Sequence, residues 1–181
     1  IVYIRPDIFV IVDDLKASAK RKKSKFEWWL NSRKPISLYK EGNGAKIEDN
    51  GSVVDAIVQY PRKVKSYYND IFALSDMVEI KPGGRHANAE PDKRVWFETE
   101  ETAGTKMIVT LDVHRNTTEA RNVNTEYEKD YVKMTFENGT IMYVNLGENT
   151  QEVKTKDGIT FTGVLVVMNN ESIMLSGGTS L

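Results

Sequence analysis

The feature that most constrains this chain is the alternation of apolar and polar residues with a period of two. Every second position is apolar in two stretches, at Phe26, Trp28 and Leu30 and at Met107, Val109, Leu111 and Val113. A period of two places successive side chains on opposite faces of a β-strand, whereas helical faces repeat every 3.6 residues. The pattern therefore predicts strands along almost the whole chain.

Turn signals divide these strands and predict two hairpins. Asn138-Gly139 separates predicted strands 131–136 and 140–146, and Asp157-Gly158 separates 152–155 from 159–168. Both dipeptides tolerate the positive φ angles of tight turns. Further strands are predicted at 2–4, 8–12, 36–39, 45–49, 52–60, 77–81, 94–99 and 173–175. About a dozen short strands between turns predict an all-β fold, an antiparallel two-sheet β-sandwich.

The domain prediction is one β-sandwich unit over residues 1–181, with a polar segment at 116–124 as the boundary between two subregions. The chain begins with Ile1-Val2-Tyr3-Ile4, an apolar run typical of a strand, and no Met precedes it. We therefore expect the sequence to be the C-terminal fragment of a larger protein.

Composition excludes several classes of function. The 25 Lys and Arg residues are balanced by 26 Asp and Glu, so the net charge of −1 supplies no general attraction for nucleic acid. No run approaches the roughly 18 apolar residues of a membrane span. The chain has no Cys, and His86 and His114 are too far apart in the sequence for a zinc motif. The sequence thus predicts no metal, no cofactor, no nucleic-acid partner and no membrane partner.

A basic segment is the clearest charge feature. Six cations fall within ten residues: Lys16, Lys20, Arg21, Lys22, Lys23 and Lys25. Such a segment attracts sulfated or uronic polysaccharides by the Coulomb force that draws phosphates to basic patches. The alternative is a solvated loop between two strands, where like charges are tolerated.

Arg85 and His86 are the predicted substrate-binding residues. They follow Gly83 and Gly84, whose missing side chains let a ligand approach the backbone closely. The arginine guanidinium is suited to a carboxylate or a sulfate. The alternative is that this segment is an ordinary connection between strands, because such connections have a similar composition. His114 ends a predicted strand and is interpreted as a surface or edge residue.

The sequence offers no catalytic constellation. It has no Gly-x-Ser-x-Gly nucleophile motif and no phosphate-binding loop. Glu98, Glu100 and Glu101 have the chemistry of a glycosidase acid and base, but three acids in one stretch are typical of a solvated surface. Six aromatic residues are candidates for stacking on sugar rings, although half or more of them are expected to be core anchors: Trp28, Trp29, Tyr39, Tyr67, Tyr68 and Trp96. Adjacent Trp28 and Trp29 lie on opposite strand faces and cannot by themselves form an aromatic row. No catalytic residue is therefore predicted.

One segment resembles a known family. The order VYIRPDIFVIVDDL, then the basic segment, then FEWWLNS is similar to the heparinase II/III-like polysaccharide lyases over residues 2–32. The resemblance is weaker through 52–61 and 107–114. In that family an Arg-Pro-Asp strand is followed by an aromatic-rich strand.

The resemblance implies a secreted or periplasmic lyase that cleaves uronic-acid-containing polysaccharides, such as glycosaminoglycans, by β-elimination. It also implies an upstream α-helical toroid, and catalytic Tyr and His residues that precede the Arg-Pro-Asp strand and so precede Ile1. None of those residues is transferred to this chain. We therefore expect a supporting C-terminal β-sandwich that is inactive alone. The alternative is a non-catalytic carbohydrate-binding or structural β-sandwich.

Overall fold

The computed structural model describes residues 1–72 and 92–181, and it confirms the predicted all-β antiparallel architecture. The predicted strand at 77–81 and the predicted contacts Arg85 and His86 lie outside the described residues. The chain divides into two compact units, Ile1–Ala120 and Arg121–Leu181. The division falls inside the polar segment 116–124. No helix in the described part of the chain is long and apolar enough to cross a membrane.

The first unit consists of two antiparallel sheets. Its strands are β1 (Val2–Ile4), β2 (Ile8–Lys16), β3 (Glu27–Ser32), β4 (Ile36–Tyr39), β5 (Gly44–Asp49), β6 (Ser52–Tyr60), β7 (Lys65–Phe72), β8 (Asp92–Glu98) and β9 (Gly104–Arg115). A six-stranded sheet has the order β1-β2-β9-β6-β5-β4, and a three-stranded sheet has the order β3-β8-β7. One 3₁₀ turn, Lys40–Gly42, connects β4 to β5.

Alternate residues from the two sheets form the core of this unit. Val95 and Phe97 of β8 are fully buried and belong to one cluster with Val58, Met107 and Val109 of the six-stranded sheet. Trp28 and Leu30 of β3 pack against the same cluster. Two sheets facing one another across alternate apolar side chains constitute a β-sandwich.

A two-residue turn joins β5 to β6. Asn50 and Gly51 have φ angles of 49° and 78°, and Asp49 pairs with Ser52. Positive φ at both central residues is the geometry that Asn-Gly favours in a two-residue hairpin.

The second unit has a five-stranded sheet and a separate hairpin. Its strands are β10 (Val123–Tyr127), β11 (Tyr131–Phe136), β12 (Ile141–Asn145), β13 (Glu152–Lys154), β14 (Thr160–Thr162), β15 (Leu165–Met168) and β16 (Ile173–Ser176). The sheet order is β10-β11-β12-β15-β16, and β13 pairs with β14. Val153 and Phe161 of the hairpin belong to a core cluster with Tyr131, Tyr143 and Val166 of the sheet.

Both predicted hairpins are present, but the second prediction ran too far. The strand predicted at 159–168 is two strands, β14 and β15, which belong to different sheets. They separate at Gly163, where an added Cβ would lie 2.9 Å from the Cα of Gly178 and 3.0 Å from the Ser176 carbonyl oxygen. The backbones approach one another there too closely for a side chain.

Candidate functional site

The basic segment lies against the end of β8 rather than projecting freely. The backbones of Ser24 and Thr102 exchange hydrogen bonds of 2.9 and 3.0 Å. The N–H of Phe26 also donates to the hydroxyl of buried Thr99 at 3.0 Å. These contacts fix the backbone on both sides of Lys25.

Two cavities are lined by residues of this segment, and a third cavity adjoins one of them. The first, of about 220 Å³, is lined by Lys25, Lys63, Lys65 and Glu98, among others. The second, of about 760 Å³, shares Lys25 and Glu98 with the first, and the third, of about 650 Å³, shares Lys63 with it. We call these three cavities the basic clefts.

The basic clefts carry an excess of positive charge. Their cations are Arg21, Lys22, Lys23, Lys25, Lys40, Arg62, Lys63 and Lys65. Their carboxylates are Glu27, Glu41, Glu98, Glu100 and Glu101. A chain that is nearly neutral as a whole therefore concentrates cations in one part of its first unit, which favours anionic ligands.

Glu98 is an ion-pair partner in the clefts. Its Oε1 accepts hydrogen bonds from Lys25 Nζ at 2.8 Å and from the Tyr67 hydroxyl at 3.3 Å. The hydrogen bond from Lys25 holds the pKa of Glu98 below its ordinary value, and the same bond raises the pKa of Lys25. A carboxyl held ionised is unsuited to donate a proton, so Glu98 lacks the property a general acid needs.

An aromatic row crosses the outer face of the three-stranded sheet. Trp29 of β3, Trp96 of β8 and Tyr67 of β7 are directly paired across the strands. The ring centroids of Trp29 and Trp96 are 4.7 Å apart, and those of Trp96 and Tyr67 are 5.0 Å apart, with interplanar angles of 17° and 12°. Trp29 is 40% exposed and Tyr67 is 37% exposed. We call these three side chains the aromatic ladder.

An arginine adjoins one end of the ladder. The guanidinium carbon of Arg94 lies 4.6 Å from the centroid of the Trp29 ring. Its Nε donates a hydrogen bond of 2.8 Å to the side-chain oxygen of Asn31. The guanidinium is thus held by a cation–π contact and a hydrogen bond in one orientation on the sheet surface.

The sequence identified the three rings of the ladder as stacking candidates but not their alignment, because the strand β7 was not predicted. Trp28 and Trp29 do lie on opposite faces, with Trp28 packed near Phe97 in the core. The row nevertheless forms because β8 and β7 bring Trp96 and Tyr67 beside Trp29. The sequence of β7 places aromatic residues next to one another and then polar residues, without a clear alternation. The sequence therefore did not predict this strand or its pairing.

A second polar cluster lies on β6 and β9, and it corrects the interpretation of His114. The His114 side chain is 8% exposed, and its Nε2 lies 2.7 Å from Oδ2 of Asp55, which is 1% exposed. Its Nδ1 lies 2.8 Å from the carbonyl oxygen of Arg115. Because both ring nitrogens face acceptors, the geometry favours the doubly protonated imidazolium. Burial lowers the pKa of His114, but the hydrogen bonds to Asp55 and Arg115 outweigh it and the net pKa is raised.

Tyr39 adjoins the same cluster. Its hydroxyl and Asp55 Oδ1 are buried without a hydrogen bond to the described part of the chain. Burial first, and then the nearby Asp55 carboxylate, raise the pKa of Tyr39 well above its ordinary value. The raised pKa of Tyr39 disfavours the deprotonated form that would act as a base, and the raised pKa of His114 favours its protonated form. We interpret the cluster as a structural link between strands.

Comparison with known proteins adds no assignment. No protein-family model matches the chain, and a search of curated proteins finds no match either. Within residues 1–72 and 92–181, no three His, Asp or Glu side chains are grouped so as to hold a metal ion. The basic clefts, the aromatic ladder and their charges are therefore the features that indicate a function.

Proposed function

We propose that this chain is a non-catalytic β-sandwich module that binds acidic polysaccharide and supports a heparinase II/III-like polysaccharide lyase. The observation that carries the proposal is the series of basic clefts in the first unit. Lysine and arginine side chains attract the carboxylates and sulfates of a uronic-acid polymer, and adjoining clefts accommodate an extended chain. The resemblance of residues 2–32 to the lyases supports the wider assignment.

The protonation states of the described side chains favour a supporting role. Abstracting a proton next to a carboxylate requires a positioned base and a group that neutralises the developing charge. The pKa values of Tyr39 and His114 are raised, which favours their protonated forms, and Glu98 is paired with Lys25. On this proposal the base and acid belong to the α-helical toroid and upstream sandwich segments of the same protein, which is secreted or periplasmic.

A carbohydrate-binding module outside any lyase is the second candidate. The aromatic ladder favours it, because exposed aromatic rings are suited to stack against sugar rings, and this reading needs no upstream catalytic region. A purely structural module makes no saccharide contact. The two binding proposals share the basic clefts and differ only in whether β-elimination accompanies binding.

The first experiment measures binding of heparin and alginate to the full chain at about 50 mM and about 200 mM salt. Lys63 lines two of the clefts, so we expect Lys63→Ala to weaken binding at the lower salt concentration by about threefold, as an exposed charge pair allows. Lys154→Ala is the matched control, because Lys154 is an exposed lysine of the second unit. Equal affinity of both variants and wild type, or no binding by wild type, would contradict the proposal.

The same preparations distinguish a supporting module from an enzyme. We expect the chain alone to release no unsaturated uronate from heparin, chondroitin sulfate or alginate. A rise in ultraviolet absorbance of the unsaturated product in proportion to protein concentration would show that the chain itself is catalytic.

A further inference from the structure

We infer that the outer face of the three-stranded sheet extends the binding site, with a uronate-bearing sugar ring against the aromatic ladder and its carboxylate on Arg94. The inference rests on the proposed function and adds a second surface to it. It commits to an acidic glycan as the occupant, although a neutral glycan and a protein are the competing possibilities.

The ladder presents aromatic surface where a solvated sheet normally presents polar groups. Trp29 and Tyr67, at its two ends, belong to the two edge strands of the described three-stranded sheet. Single exposed apolar residues are common, but three large rings side by side form a contiguous patch. Contiguous exposed aromatic surface of this kind marks an interaction site.

The polar residues beside the ladder identify the class of ligand. Asn31 pairs with Arg94, and Arg94 pairs with Asn69, in the row next to the rings. A planar guanidinium binds carboxylates in a bidentate manner, and amides suit hydroxyl groups. A row of amides around an oriented arginine therefore matches a sugar that bears both hydroxyls and a carboxylate.

The ladder is continuous with the basic clefts. Tyr67 donates to Glu98, and Glu98 also accepts from Lys25, whose side chain lines two of the cavities. The row on the other side of the rings contains Glu27, Glu98 and Lys65, all of which line these cavities. The basic clefts and the aromatic face therefore adjoin at this row, in which Lys65 is the cation.

The test uses the full chain with alginate oligosaccharides, and a neutral maltooligosaccharide as the comparison ligand. Tyr67→Ala removes one ring of the ladder, and we expect it to lower alginate affinity by about fivefold. Tyr68→Ala is the matched control: Tyr68 is 43% exposed on the same strand but is paired with Val95 of the core. Tyr67→Leu keeps apolar bulk without an aromatic ring, and thermal unfolding checks that each variant is folded.

A second variant tests whether the planar guanidinium of Arg94 binds the carboxylate of the ligand. Arg94→Lys keeps the charge but loses bidentate geometry, so alginate affinity falls while the weaker affinity for maltooligosaccharide does not change. Arg33→Lys, at an exposed arginine of the connection after β3, serves as the control.

The outcomes separate the two proposals. If Tyr67→Ala and Tyr67→Leu bind as Tyr68→Ala does while Lys63→Ala binds more weakly, the ladder inference is wrong and the basic clefts remain. If maltooligosaccharide binds as tightly as alginate, the acidic occupant is wrong. If wild type binds no alginate, both proposals fail.

Discussion

His114 links two strands through a pair whose strength depends on its charge. When the ring is doubly protonated, Nε2 donates to Asp55 and Nδ1 donates to the carbonyl oxygen of Arg115. Loss of one proton leaves a nitrogen lone pair facing an oxygen. The hydroxyl of Thr118 also lies near this ring, 3.4 Å from Nδ1. The negative charge of Asp112 further favours the protonated form of His114.

This pair predicts a pH dependence of stability. The pKa of His114 is raised above its ordinary value of 6.5 in the folded chain. The stability that protonated His114 contributes to the fold is therefore complete below the pKa of the unfolded state. This stability is lost as the pH rises through the raised pKa of the folded state. We expect the melting temperature of wild type to exceed that of His114→Gln by more at about pH 5 than at about pH 9. If the difference in melting temperature between wild type and His114→Gln grew with pH, His114 would not stabilise the fold in its protonated form.

At the scale of elements, the strands with an apolar core face were predictable. The predicted bounds 36–39 and 52–60 match β4 and β6, which contribute the buried residues Ile36, Val53, Ala56 and Val58. The positions of both predicted hairpin turns were also correct. In each, the positive φ belongs to the glycine, with 81° at Gly139 and 83° at Gly158.

Two strands were missed for a shared physical reason. β7 and β10 have no simple alternation of buried and exposed apolar residues, and each obtains its pairing from a neighbouring strand. Their formation depends on contacts that are distant in sequence, which period analysis cannot detect. The ladder and the His114 pair depend on the same cross-strand register, so neither was available from the sequence.

The Asn138-Gly139 turn gives a prediction at this scale. A Cβ at position 139 would meet no atom within 4 Å, so a substitution there is penalised by backbone conformation alone. Gly139→Val should lower the free energy of unfolding by about 1–2 kcal/mol, the cost of left-handed backbone for a residue with a Cβ. Gly139→Asn should lose less, because Asn tolerates this region.

Urea unfolding measures both variants. Equal stability of Gly139→Val and wild type would show that the turn does not require a positive φ at this position.

For the molecule as a whole, the proposed function depends on the first unit alone. The basic clefts and the aromatic ladder are built entirely from residues of Ile1–Ala120. In the second unit, the polar contacts of Asp157 connect neighbouring parts of the fold. Asp157 accepts hydrogen bonds from the Tyr143 hydroxyl at 2.6 Å and from Lys133 Nζ, and these bonds hold its pKa below the ordinary value. Arg85 and His86 remain predicted contacts.

Hydrogen exchange of the full chain with and without an alginate oligosaccharide tests whether the basic clefts and the aromatic ladder bind an acidic glycan. We predict slower exchange of backbone amides in the basic segment around Ser24, in the connection at Lys63 and in β8, with residues of Arg121–Leu181 unchanged. A chemically matched neutral oligosaccharide should protect these segments less. Protection confined to the second unit, or identical exchange with and without alginate at saturating concentration, would contradict the account.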